Sequence, residues 1–206
     1  MRKKPMLYTK VYRNRNHIKE VIGLLGIRPG AGVTYTGILL AFYLGEELGR
    51  RTAFLEVNHH QDLSLLQPVY EWNGETAGSF TYGNITFYKD VKVHQVAEMM
   101  GAGYDYFILD FGTDFQGNKE EFLRCDRKLL LSGHSEWDIG KLIRFIRRNY
   151  MTRGSDTWLP LIPLAPKKVL HRLEKELTKT FYSVPFEADV TKPSKAFIRL
   201  FEGLLG

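Results

Sequence analysis

One glycine-containing loop, Gly26-Ile27-Arg28-Pro29-Gly30-Ala31-Gly32-Val33-Thr34, constrains the fold more than any other stretch of this chain. An apolar run, Glu20-Val21-Ile22-Gly23-Leu24-Leu25, leads into it, and an apolar helical run, Ile38-Leu39-Leu40-Ala41-Phe42-Tyr43-Leu44, leads out. A strand that turns through glycines into a helix brings backbone N–H groups together at a helix N-terminus. The partial positive charge there favours phosphate. Gly30 and Gly32 can adopt the positive φ values that such a turn requires.

The loop departs from a working phosphate cradle in one respect. The P-loop reads G-x-x-x-x-G-K-[ST], and its lysine reaches the outer phosphates. Here Val33 stands between Gly32 and Thr34, and Arg28 is the only cation in the loop. Thr34 keeps the hydroxyl that ligates magnesium in that motif.

Strand and helix patterns alternate along the rest of the chain. After the first strand, at about 20–26, the pattern predicts a helix over about 34–49 and a strand at Thr52–Val57. A loop with His59, His60 and Asp62 follows, then two short β runs near 78–82 and 85–88. A helix is expected from Val93 to Met100, a strand from Tyr104 to Leu109 and another from Lys128 to Leu131. Helices at 138–150, 167–180 and 195–205 alternate with strands at 158–161 and 181–185. Short buried strands between amphipathic helices imply a sheet covered on both faces. The expected fold is α/β: a doubly wound, mostly parallel sheet flanked by helices, a three-layer sandwich of P-loop NTPase type. A length of 206 residues suits one such domain, placed at 20–206 behind a basic N-terminal arm at 1–19.

Two further segments end where a nucleotide site needs them. Asp110 directly follows the apolar Phe107-Ile108-Leu109, and a carboxylate there can hold magnesium through water. Glu56-Val57-Asn58 closes the second strand. The loop and both segments lie at the carboxyl ends of strands, the edge where open α/β sheets bind ligands.

In this order and spacing the chain resembles the MinD/ParA family of deviant P-loop ATPases, which includes TadZ-like pilus-assembly proteins and the nitrogenase iron protein. Against the family loop K-G-G-V-G-K-T, Arg28 takes the place of the first, signature lysine. Pro29 and Gly30 take the paired glycines and Ala31 the valine. Gly32 and Thr34 match, and Val33 replaces the P-loop lysine. Phe54-Leu55-Glu56-Val57-Asn58 resembles L-x-D-x-D, and Tyr104 to Asp110 resembles Y-D-Y-I-I-I-D at the start of switch II. Val184-Pro185-Phe186-Glu187-Ala188-Asp189 resembles the late V-P-x-D segment near the adenine base.

The resemblance implies ATP or ADP with magnesium as cofactor, and a homodimer working with protein partners of an assembly or partition system. Arg28, Pro29, Gly30, Ala31, Gly32, Val33, Thr34, Tyr35, Pro185 and Phe186 would contact nucleotide, and Thr34 and Asp110 would hold magnesium. Arg28, Glu56 and Asp110 are the catalytic candidates. Charge stabilisation is the main resource of phosphoryl transfer, so loss of the lysine implies at most a weak ATPase. The expected function is a TadZ-like positioning or assembly protein with a degenerate Walker A loop. Two alternatives stand beside it: an active ATPase in which Arg28 substitutes for the lysine, and a partition protein that binds DNA without sequence preference.

Charge distribution bears on partners. The net charge is +6, and residues 1–20 carry all of it. Such an arm suits an anionic membrane surface or DNA, or serves as a solubilising leader. Lys141, Arg144 and Arg148 form a second basic stripe, with Arg147 and Arg153 nearby. One cysteine, Cys125, excludes an internal disulfide framework, and a cytoplasmic, peripherally membrane-associated location is expected. The N-terminus lacks the apolar core of a secretory signal, and no run of ~18 apolar residues is present. His59, His60 and Asp62 lack metal-ligand spacing. Ser132, His134 and Asp138 lack a nucleophile elbow. Phe197, Ile198, Leu200, Phe201, Leu204 and Leu205 invite comparison with a membrane-targeting tail, but their place predicts a core helix.

Overall fold

Ile22 and Leu24 of the first strand are buried in one apolar core, and Leu25 is buried in a second. Side chains alternate across a strand, so this pattern requires cover on both faces of the sheet. The computed structural model describes residues 19–70 and 78–205. The strands are β1 (Glu20–Gly26), β2 (Thr52–Glu56), β3 (Ser79–Tyr82), β4 (Ile85–Tyr88), β5 (Tyr106–Asp110), β6 (Arg127–Leu131), β7 (Trp158–Pro163) and β8 (Tyr182–Val184). They form one sheet in the order β3-β4-β2-β5-β1-β6-β7-β8. Every described pairing is parallel except β3 with β4, a hairpin at the edge.

The helices are α1 (Val33–Phe42), α2 (Asp62–Tyr70), α3 (Val96–Met99), α4 (Phe115–Arg124), α5 (Glu136–Arg148), α6 (Lys167–Leu177) and α7 (Lys195–Leu205). Residues of α1, α2 and α7 share one core with Ile22, Phe54 and Ile108. Residues of α3, α4, α5 and α6 share the other with Leu25, Phe107 and Leu109. The doubly wound, three-layer α/β architecture read from the sequence is therefore present. In the second core, Trp158 packs edge-on against Phe115 and Phe122, with centroids 5.8 and 5.7 Å away. The α7 side chains Phe197, Phe201 and Leu204 are buried, so that helix is a core helix.

Three local differences have physical causes. The helix expected to run to 49 changes at Tyr43 into a π-helical turn, Tyr43–Glu47, which places Glu46 Oε1 3.0 Å from the Asn84 amide. α2 lies in a stretch read as loop and polar segment, because Pro68 interrupts its pattern. α4 has only Phe115 and Phe122 buried and contains Gly117, so its periodicity is faint. It is nevertheless capped, since the Asp114 carboxylate accepts from the Gly117 amide at 2.9 Å.

The arm at 1–19 lies outside the described residues apart from Lys19, which donates to the Met100 carbonyl at 2.8 Å. Among the described residues no helix is long and apolar enough to cross a membrane. Cys125 is buried, and burial pushes its thiol pKa up, so it is chemically quiet.

Candidate functional site

The cradle is built by β1 ending beneath two glycines. Gly30 and Gly32 have φ of 73° and 87°, the left-handed region that only glycine occupies freely. Gly32 is the N-cap of α1, and no side chain caps that helix, so its first N–H groups face the loop. The loop is anchored on both sides of β1: the Gly26 amide donates to the Gly112 carbonyl and the Ile27 amide to the Leu131 carbonyl, each at 2.8 Å. Arg28 through Tyr35 line a cavity of about 170 Å³, closed by His60, Asp62, Gly112 and Thr113.

Val33 lines the cavity but brings no charge to it. It is 7% exposed, and a Cβ on Gly26 would stand 2.7 Å from its methyl. Val33 thus packs tightly beneath the start of the loop.

Thr34 brings the carboxylates together. Its hydroxyl lies 2.6 Å from Asp110 Oδ2 and 3.1 Å from Asp62 Oδ2. Asp110 is fully buried and also accepts the Gly112 amide at 2.9 Å. Burial pushes its pKa up to about 6, against the hydrogen bonds from Thr34 and Gly112 and with the help of Glu56 and Asp62. A hydroxyl has one proton to donate, so its second carboxylate contact is favourable when Asp110 is protonated.

Glu56 is close but engaged elsewhere. Its carboxylate accepts the backbone amides of Leu63 at 3.1 Å and Asp90 at 3.4 Å. The carboxylate opposite Asp110 on Thr34 belongs instead to Asp62, at the start of α2. Asn58 donates to the Asp110 carbonyl at 3.1 Å and accepts the His60 amide at 2.9 Å, which orients this loop.

Arg28 is paired within its own chain. Its guanidinium forms an ion pair with Asp138 and donates to the Pro29 carbonyl at 2.7 Å. Asp138 is 4% exposed, yet the Ser135 hydroxyl at 2.7 Å and Arg28 together outweigh burial and hold its pKa below the usual range. The α5 helix sets this position, because Ser135 caps it by accepting the Asp138 amide at 3.2 Å.

On the far side, the Tyr35 hydroxyl donates to the Glu187 carbonyl at 2.6 Å and accepts the Glu187 amide at 2.9 Å. The Pro185–Glu187 segment is therefore tied to α1, with Phe186 67% exposed. Pro185 and Phe186 do not line the small cavity. The structure thus brings Arg28 through Tyr35 together with Asp110, holds Glu56 behind them, and leaves Pro185 and Phe186 beyond Tyr35. Asp62, Asp138 and the backbone of Glu187 were not legible as site groups in the sequence. Their partners lie 28, 110 and 152 positions away, with Asp138 separated from Arg28 by the whole of α1 to β6.

Thr34, Asp62 and Asp110 are hard oxygen donors of the kind magnesium takes. Among the described residues, no group of three or more His, Cys, Asp or Glu is placed to hold a metal ion. Any magnesium here would need oxygens from water or phosphate to complete its shell.

Solved structures share this overall fold. A putative plasmid partition protein of Borrelia burgdorferi bound to AMPPNP is 13% identical with a TM-score of 0.63, over 91% of this chain and 97% of that one. The septum site-determining protein MinD of Pyrococcus horikoshii, complexed with Mg-ADP, is 13% identical with a TM-score of 0.64, over 91% and 94%. The chain has the fold of the MinD and ParA ATPases. A MinC:MinD cell division complex of Aquifex aeolicus matches at 16% identity and a TM-score of 0.59, over 82% of each chain. No protein-family model matches the sequence, and no curated protein is similar to it in sequence.

Proposed function

We propose that this chain is a positioning or assembly protein of the MinD/ParA type, TadZ-like in having a degenerate phosphate loop. It binds ATP or ADP with magnesium weakly and hydrolyses ATP very slowly or not at all. The observation that carries this reading is that the polar groups of the cradle satisfy one another. Thr34 is held by Asp110 and Asp62, Arg28 by Asp138, and the Glu187 peptide by Tyr35. Val33 adds no charge, and the 170 Å³ cavity is below the ~300 Å³ at which ligand pockets begin. A triphosphate entering here would face Asp62 and Asp110 without the lysine that offsets them, so its binding would depend on magnesium.

In this reading the protein acts through surfaces. It works as a homodimer, at the cytoplasmic side of a membrane machine, with protein partners of an assembly or partition system. The basic segment 1–19 attaches it to an anionic membrane surface or to DNA. The likeness to MinD in a MinC complex supports partner binding.

A second reading is favoured by one observation. Arg28 lines the cradle and its side chain is 36% exposed, so its release from Asp138 would return a cation to the loop. That would make the chain a weak ATPase with Arg28 in the lysine's role. The two readings separate in one experiment. Titration with a fluorescent ATP analogue, with and without magnesium, and single-turnover hydrolysis are run on wild type and Arg28→Ala. Weak, magnesium-dependent binding without turnover supports the first reading. Turnover that Arg28→Ala abolishes supports the second.

A further inference from the structure

A cavity larger than the cradle lies at the other end of the sheet from it. At the amino ends of β7 and β8, the last turn of α5, the 155–157 turn and the end of α6 enclose about 640 Å³. That volume is in the range of small-molecule sites, and the phosphate cradle at 170 Å³ is not. Ile146, Leu159, Leu177 and Tyr182 form apolar walls, and Tyr150 and Met151 stand at the rim, 75% and 89% exposed. Both side chains are placed to close over a molecule held in the apolar hollow.

One cation lines this cavity. Lys179 is partly buried, and its ammonium donates to the carbonyls of Asp156 at 2.7 Å and Trp158 at 2.9 Å. An ammonium carries three N–H groups, so these two bonds leave a third free to donate. Burial lowers the Lys179 pKa, and the Asp156 carboxylate opposes that shift. Asp156 is exposed and is the only acidic residue of the lining. Trp158, 2% exposed, also belongs to the lining, and its indole N–H has no partner among the described residues.

We propose that this cavity is a binding site for a small amphipathic carboxylate. Its flat or acyl body lies between Leu159, Leu177 and Tyr182 under the Tyr150–Met151 rim, and its carboxylate accepts the free N–H of Lys179. An ion pair formed in a partly dehydrated hollow is stronger than one in water. The site is distinct from the phosphate cradle, so it stands whether or not the chain binds nucleotide.

The test uses the full chain and 2-naphthoate, with neutral 2-naphthamide as the second probe. Side-chain indole resonances are followed by 1H–15N NMR, with Trp158→Phe identifying the Trp158 signal, and affinities are measured by calorimetry. The expected result is a saturable shift of the Trp158 indole with naphthoate, at a Kd on the order of 0.1 mM. Lys179→Met should weaken naphthoate by about tenfold and leave naphthamide within about threefold. Asp156→Asn keeps the backbone carbonyl and removes a competing anion, so it should tighten naphthoate about two- to threefold. It also serves if Lys179→Met fails to fold. A Trp158 resonance that shows no saturable shift at millimolar naphthoate overturns the proposal. So does equal loss of both probes in Lys179→Met, or an Asp156→Asn variant that binds naphthoate no better than wild type.

Discussion

The hydroxyl of Thr34 lies 2.6 Å from Oδ2 of Asp110, joining the first turn of α1 to the end of β5. Asp62 meets the same hydroxyl at 3.1 Å, so two carboxylates converge on it and it links the cradle to pH.

Asp110 has its pKa pushed up from 3.8 to about 6 by burial. The folded state therefore holds this proton more tightly than the unfolded state. The resulting stability is fully present below pH 3.8 and is lost as pH rises through 6. Above pH 6 the buried charge costs up to about 3 kcal/mol. Asp110→Asn carries no charge, so its melting temperature should exceed wild type at pH 8, and the gap should close by pH 4. A gap that stays constant with pH would show that Asp110 does not titrate in the fold. Magnesium should stabilise wild type at pH 8 and leave Asp110→Asn unmoved.

Val33→Lys should restore charge to the loop at a structural cost. Val33 is buried against Gly26, so the longer side chain must leave its pocket to reach solvent. A loss of about 1–3 kcal/mol in urea unfolding is expected. Affinity for a fluorescent ATP analogue should rise at least about tenfold, the effect of one well-placed charged hydrogen bond. Unchanged affinity in a folded variant would mean that the cradle is closed for reasons other than the missing lysine.

The Arg28–Asp138 pair can be separated by a double-mutant cycle. Arg28→Ala leaves the buried Asp138 with Ser135 alone and should cost about 1–2 kcal/mol, since Arg28 is partly exposed and screened. Asp138→Asn should release Arg28 and strengthen ATP binding. The double variant should lose that gain. Equal ATP affinity across all four proteins, measured by calorimetry, would leave the pair a purely structural contact.

Tyr35→Phe removes the hydroxyl that engages both backbone groups of Glu187. Stability should fall by about 1 kcal/mol per hydrogen bond lost. If the freed peptide can meet an adenine edge, ATP should gain affinity relative to inorganic tripolyphosphate, and the ratio of the two is the measurement. A ratio identical to wild type would exclude a role for Tyr35 in base access.

Deleting residues 1–19 should remove most non-specific anion binding, because residues 1–20 carry the net +6. Retention on anionic vesicles or on DNA should drop, and its slope with log salt should flatten. Unchanged retention would move the function to the exposed Arg144 and Arg148 of α5.

The strand–loop–helix at Gly26 to Thr34, the alternation of strands and helices along the chain and the carboxylate at Asp110 were legible in the sequence. Each is a local pattern: alternation across a strand, two glycines before a helix, and an acid after a buried run. α4 was hidden because only two of its side chains are fully buried, and α2 because Pro68 breaks its pattern.

The identities of the partners belong to the tertiary structure. Arg28 meets Asp138 because β6 lies beside β1 and delivers the start of α5 to the loop. Thr34 meets Asp62 because β2 and β1 flank β5 in register, and Tyr35 meets Glu187 across 152 positions of sequence. Local propensity determined by itself that this chain turns through glycines from a strand into a helix. Only the packing of distant elements decided that the loop's polar groups find partners inside the protein, because hydrogen bonds between residues so far apart form only where the sheet order brings them within about 3 Å.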